Sequence, residues 1–207
     1  MPETGHVVVL QKCGSRAPAQ PQSNSSAALL IATDMQKHIL LAKQFCRGEY
    51  ENDVDGGIWR AAFEYMSSNS HHMSFDRPKV HTLWTVNGGH LRRKIKDDEL
   101  MLAVLTMSLP GYQGDGVTLY RGECRFLYDE NKIGFCWSSE IEVASKFARG
   151  LNALESGGVL LKAYAPPSAI LAGPNDHSAK QMQEFEYTCD PRLLHDIDVV
   201  RFFEKLA

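Results

Sequence analysis

Pro110-Gly111 divides the sequence into two textures, and no other feature limits the fold as strongly. Before it, apolar residues recur at helical spacing. Ser25-Ser26 can cap a helix that runs through Leu29, Leu30, Met35, Ile39, Leu40 and Phe45. A second stripe from Ile58 to Met66 puts Ile58, Ala62, Tyr65 and Met66 on one face, after Gly56-Gly57. A third opens on Asp97-Asp98-Glu99, acids suited to a helix N-terminus, and continues through Leu100, Val104 and Met107. After Pro110 the signals become those of short strands between glycines and prolines. Val117–Tyr120, Gly134–Ser138, Val159–Tyr164, Ile170–Ala172, Glu184–Thr188 and Ile197–Phe203 each read as a strand. One helix interrupts them: Ser139-Glu140-Ile141-Glu142 has the capping-box form and leads through Ala144, Phe147 and Ala148. Helices first and strands later predict an α+β domain.

The chain of 207 residues can hold one domain with a sizeable core. Residues 1–26, rich in Ser, Gln, Pro and Ala, cannot bury enough apolar surface to offset the entropy of ordering, so a flexible leader is expected there. The absence of acidic residues from Gly5 to Thr33 also suits a targeting leader. Residues 27–207 then form the domain, helical over 27–110 and β-rich over 111–207.

A net charge of −3 offers no general field for nucleic acid or anionic lipid. The one basic run, Arg92-Arg93-Lys94-Ile95-Lys96, reads as a solvated helix entrance. Cys13, Cys46, Cys124, Cys136 and Cys189 are odd in number and widely spaced, which suits free thiols in a reducing compartment. No metal site is expected from them or from the surface pair His71-His72. No stretch approaches the roughly 20 apolar residues of a membrane span, and His6–Leu10 lacks the basic region of a secretory signal peptide.

Three segments of the second half carry chemistry together. They are Leu119-Tyr120-Arg121-Gly122-Glu123, then Gly134-Phe135-Cys136-Trp137-Ser138-Ser139 with Ala144-x-x-Phe147-Ala148 behind it, then Glu184-Phe185-Glu186 after the polar loop Gly173 to Gln183. Alone, an arginine at a strand end is more often an ion pair, a serine before a helix is usually a cap, and alternate carboxylates usually mark an exposed strand face. In this order and spacing they resemble the arginine–serine–glutamate class of ADP-ribosyltransferases, the cholera-toxin-like branch. The resemblance covers about residues 117–203, close to half the chain.

That resemblance implies an ADP-ribosyltransferase fold: two packed, mostly antiparallel β-sheets forming an NAD cleft, with helices N-terminal to them. It implies that NAD is consumed as substrate, with release of nicotinamide. Arg121 takes the place of the arginine that holds the NAD phosphates and adjacent ribose, a task suited to a planar guanidinium. Gly122 would let the cofactor approach the backbone. The serine motif falls on Cys136-Trp137-Ser138, where Cys136 departs from the usual first serine. Either Ser138 takes over orientation of the glutamate and ribose, which is the preferred reading, or that function is lost; Ser139 is left as the helix cap. Cys136, Trp137, Ser138 and Phe147 complete the implied cofactor-binding set.

Glu186 takes the place of the catalytic glutamate, which stabilises the oxocarbenium-like species as nicotinamide leaves. Glu184 takes the first position of the Glu-x-Glu pair, which in the family goes with arginine acceptors. On an extended segment the two carboxylates would share a strand face. A rival register makes Glu184 catalytic, with Met182 two positions before it. Pro174, Asn175, Asp176 and His177 would belong to an acceptor-recognition loop.

The implied activity is mono-ADP-ribosylation of a protein side chain, arginine above others. The alternatives are an NAD glycohydrolase on the same residues and an inactive binding module of the same fold. A protein acceptor is the expected partner, with neither nucleic acid nor membrane, and a chaperone or immunity protein would suit a toxin. The toxin-like match and the leader imply either the producer's cytoplasm or, as a secreted virulence effector, the cytosol of a target cell.

Overall fold

A computed structural model of the chain describes residues 36–206; the expected leader, Cys13 and the start of the first helix lie outside the described residues. Four helices come first: α1 over 36–46, α2 (Gly56–Ser68), α3 (Arg77–Ile95) and α4 (Asp98–Ser108). An aspartate opens each of the last three. Asp55 accepts from the Gly57 amide at 2.7 Å, Asp76 from Lys79 at 3.3 Å and Asp97 from Leu100 at 3.0 Å, satisfying amides that a helix start leaves without partners. The stripes read over α2 and α4 do face a core, in which Phe45, Trp59, Phe63, Met66, Trp84, Leu91, Met101 and Leu105 are buried; of the first stripe Phe45 joins it, whereas Leu40 is exposed. Phe45 and Phe63 meet edge to face at 5.0 Å between ring centres.

The longest of these helices, α3, is absent from the sequence reading. Its middle carries Asn87-Gly88-Gly89, residues that ordinarily signal a turn. Packing overrides them: Val80, Leu83, Trp84, Leu91 and Ile95 are buried along one side. The basic run Arg92–Lys96, expected as a helix entrance, is instead the last turn and left-handed cap of α3, where cations oppose the helix dipole.

After Pro110 the chain builds β1 (Val117–Cys124), a short α5 (Arg125–Asp129), β2 (Cys136–Ser138), α6 (Ile141–Arg149), β3 (Gly158–Ala165), β4 (Ile170–Ala172), β5 (Glu186–Cys189) and β6 (His195–Phe203). The fold is therefore α+β. The described strands form one six-stranded sheet in the order β4-β5-β2-β1-β3-β6, with every neighbouring pair antiparallel. Two separate sheets were expected. Two halves do exist, but β1 and β2 link them through a single pair, Tyr120 with Ser138. By contrast β1 and β3 are paired along all eight residues. Beyond Tyr120 the two strands part, and Arg121 Nη1 donates to the Cys136 carbonyl that a continued ladder would have used.

One face of this sheet holds a second core of Leu119, Trp137, Val159, Leu161, Ala163, Ile170 and Cys189. Against β1 and β3 lies α6, with Ala144 and Ala148 buried on Leu160. The approach is so close that a Cβ on Gly122 would sit 2.4 Å from the Ala144 carbonyl oxygen, and one on Gly158 would sit 1.8 Å from that of Ala148. Gly122 therefore serves packing of α6, not approach of a cofactor as expected. The capping box is also not formed: Glu140 is the N-cap of α6 without a side-chain cap bond, and Ser139 Oγ meets only Glu140 Oε1, at 3.4 Å. Among the described residues no helix is long and apolar enough to cross a membrane.

Candidate active site

Arg121, Ser138 and Glu186 sit on β1, β2 and β5, which are neighbours in the sheet. Glu186 lies directly across from Ser138, and Cys136 across from Thr188. Opposed residues of an antiparallel pair share a face, so Cys136, Ser138 and Glu186 emerge on one side of the sheet. Beside them opens a cleft of about 1410 Å³ between the end of α3 and the strands, lined by Arg92, Arg93, Arg121, Glu123, Gly134, Cys136 and Phe147 among others. A smaller pocket of about 380 Å³ adjoins it across Phe147 and Leu151, and Lys146, Met182 and Glu184 line that one.

The arginine is built in by its neighbours. Its side chain is 15% exposed, and Nε donates to Glu123 Oε2 at 2.7 Å, where Glu123 is itself 2% exposed. The same carboxylate accepts from the amides of Gly134 at 2.9 Å and Cys124 at 3.0 Å. Burial pushes the Glu123 carboxyl up, but the Arg121 charge and these hydrogen bonds overcome it and hold the group below its ordinary value. Glu123 was thus missed as a functional residue, although two residues of alternate spacing on a strand necessarily share a face. Gly134 is part of the same arrangement, since a Cβ there would meet Arg121 Nη2 at 2.2 Å. Arg92, read as solvated, is pinned by Asp98 at 2.9 and 2.6 Å and stacks 5.1 Å from the centre of the Phe135 ring.

Ser138 is buried and its hydroxyl is committed twice. It donates to the Glu184 carbonyl at 2.6 Å and accepts from the Glu140 amide at 3.0 Å. It holds the glutamate segment through the main chain and also satisfies the start of α6, the task expected of Ser139. Trp137 is not a cleft residue: it is 1% exposed in the second core, with Nε1 donating to the Gly134 carbonyl at 3.1 Å. Phe147 does border both cavities.

The Glu184–Glu186 segment is not extended. Gln183 and Phe185 have φ of 54° and 48°, in the left-handed region, so Glu184 lies in a turn ahead of β5. The two carboxylates therefore do not share a strand face, contrary to expectation. Glu186, rather than its rival Glu184, is the one opposite Ser138. Ser178, which the sequence reading passed over, clamps both: its carbonyl accepts from the Glu184 amide at 2.9 Å and its hydroxyl from the Glu186 amide at 2.6 Å. The loop that carries it is anchored to α3 by Asn175, whose Nδ2 donates to Thr85 Oγ1 at 3.0 Å.

Glu186 Oε1 is buried and has no hydrogen-bond partner. Burial pushes the Glu186 carboxyl up to about 8; the Cys136 thiol and the Arg121 charge pull the other way, and Glu184 adds to the rise. Burial likewise raises the Cys136 thiol well above its ordinary value, with the Glu186 charge adding to it. Glu184 is raised as well, by burial against the opposing effect of His177. Cys46, Cys124, Cys136 and Cys189 are free thiols. Perturbed carboxyls in a cleft are a mark of functional sites. In comparisons with known proteins, no family model, no curated protein and no solved structure matches the chain.

Proposed function

We propose that the chain cleaves NAD and transfers ADP-ribose to a protein side chain, arginine above others. The observation that carries this reading is Glu186, opposite Ser138 on the neighbouring strand, presenting a buried carboxyl oxygen that has no partner on the sheet face it shares with Cys136, which lines the large cleft together with Arg121. An orphaned acceptor of that kind is costly unless a ligand donates to it, and a ribose hydroxyl is such a donor. Arg121, held in place by Glu123, suits the diphosphate with its planar guanidinium. In the reaction the glycosidic bond between C1′ and the pyridinium nitrogen breaks, and its electron pair leaves with nicotinamide. Ionised Glu186 stabilises the positive charge that then develops on the ribose. An acceptor nitrogen bonds to C1′ and gives up a proton. The pyridinium charge of bound NAD would itself favour the ionised form of Glu186.

A second reading, hydrolysis of NAD by water, is favoured by one observation. Glu184 faces the smaller pocket from a turn and does not stand beside Glu186 on a strand, which weakens the two-carboxylate arrangement for an arginine. The test uses labelled NAD, a cell lysate and excess of a free arginine analogue, with wild type, Glu186→Gln and Glu184→Gln. Transfer lost in both variants, with nicotinamide release kept by Glu184→Gln, supports transfer to arginine. Nicotinamide release without labelled acceptor selects hydrolysis. Wild type that neither binds nor turns over NAD leaves only a binding module. Delivery of the protein as a toxin or effector is part of the same proposal and rests on the sequence alone, on the resemblance and the composition of residues 1–26.

A further inference from the structure

Two guanidinium groups meet over Gly134. The Cβ position of that glycine lies 2.2 Å from Arg121 Nη2 and 3.0 Å from Arg92 Nη1, so a single small group can reach both nitrogens. Neither nitrogen has an acceptor among the described residues, although every other nitrogen of the two side chains does. Arg121 uses Nε on Glu123 and Nη1 on the Cys136 carbonyl. Arg92 uses Nε and Nη2 on Asp98, and Nη2 also donates to the Lys132 carbonyl at 3.0 Å. The two side chains are 15% and 18% exposed, and both line the large cleft. Like charges this close repel, and an anion bonded to both nitrogens removes that cost. The surrounding charge also favours an anion. Of the four acids that line the cleft, Asp98, Glu123 and Glu130 are each paired with a cation, which leaves Glu155. Against it stand Arg93 and Lys96 at the end of α3, which line the same cleft and whose side chains make no hydrogen bond or ion pair among the described residues.

Resting on the reading of the cleft as the NAD site, we propose that Arg92 of α3 and Arg121 of β1 form a two-arginine clamp for the diphosphate, with position 134 bare of a side chain so that both unused nitrogens can reach the ligand. Arg92 is then a second phosphate-binding residue, brought to the strand arginine by the packing of α3. Asp98, Glu123 and the Phe135 ring, whose centre is 5.1 Å from the Arg92 guanidinium, hold the two groups in place before a ligand arrives. Little side-chain freedom is therefore lost on binding. The diphosphate keeps its charge throughout cleavage of the glycosidic bond, so the clamp grips ground state and transition state alike. Its loss raises KM for NAD and leaves kcat in place.

Inorganic pyrophosphate is the probe, titrated calorimetrically at constant ionic strength into wild type, Arg92→Gln, Arg92→Lys, Gly134→Ala and Arg93→Gln. Binding by wild type should weaken roughly tenfold or more in Arg92→Gln, which loses a hydrogen bond to a charged group. Gly134→Ala should lose as much, because its methyl takes the point that both nitrogens flank. Arg92→Lys keeps the charge and the pairing with Asp98 but has one nitrogen for both tasks, so it also weakens binding and decides the matter if the glutamine variant does not fold. Arg93→Gln alters only the general field and should cost less than about threefold. No binding by wild type, unchanged binding in the folded Arg92 variants, or an equal loss in Arg93→Gln overturns the clamp. Turnover of NAD is followed in parallel, with KM expected to rise roughly tenfold in Arg92→Gln at constant kcat. Pyrophosphate held as expected by a protein that neither binds nor turns over NAD keeps the clamp and sinks the reading of the cleft. Turnover whose KM is unmoved in Arg92→Gln does the reverse.

Discussion

Glu186→Gln removes one titratable carboxyl from a buried position while keeping its shape, and stability against pH should register the change. The group rises from its ordinary 4.5 to about 8 in the folded chain. At 1.36 kcal/mol per unit, that difference corresponds to about 5 kcal/mol at most. Its sign follows from which state binds the proton. The folded chain keeps Glu186 protonated where the unfolded chain has already ionised it. The contribution is therefore fully present below pH 4.5, falls as pH rises, and is gone once pH exceeds about 8. Relative to wild type, the glutamine variant should gain up to about 5 kcal/mol between pH 4.5 and pH 9. The amide's own burial enters equally at both ends and cancels. Urea unfolding of the two proteins at several pH values measures the difference. Parallel stability curves would mean that Glu186 titrates alike in the folded and unfolded chains. That result would refute the burial of its carboxyl, whatever the reaction turns out to be.

Other substitutions test the surroundings. Glu123→Gln strips the counter-charge from a nearly buried Arg121 and should cost about 3–5 kcal/mol, recovered in part by adding Arg121→Met; a loss below about 1 kcal/mol would speak against the pair. Gly122→Ala drives a methyl into the Ala144 carbonyl and the Ala148 amide, both 2.4 Å away, and should destabilise by about 1–3 kcal/mol through displacement of α6. The expected readout is a lower thermal midpoint, and an unchanged one would show that α6 can shift at no cost. Trp84→Phe leaves the Thr188 hydroxyl buried without its donor and should cost about 1–3 kcal/mol. Adding Thr188→Val should restore part of that loss, because no polar group is then stranded.

Local chemistry made several features legible without any structure. Strong 3.6-residue stripes marked α2 and α4, because a helix that buries one face must repeat its apolar residues at that spacing. Turn residues and β-branched runs located all six strands, and the motif order nominated Arg121, Ser138 and Glu186 for one site. What failed were the readings in which a neighbour in space outweighs neighbours in sequence. The turn signal Asn87-Gly88-Gly89 lost to the packing that buries Trp84 and Leu91, so α3 was overlooked and Arg92 was taken for a solvated residue. The resemblance placed Trp137 in the cofactor-binding set, yet the second core claims it.

The rest belonged to tertiary structure. The residue types at positions 121, 138 and 186, and so the chemistry open to them, were determined by the sequence alone. Which hydroxyl holds the Glu184 carbonyl, which glutamate opposes the serine, and whether the sheet is one or two depended on a partner 46 positions away or on single cross-strand pairs. Hydrogen bonds and burial are set by distance in space, and a linear pattern carries that distance only within one helix or strand.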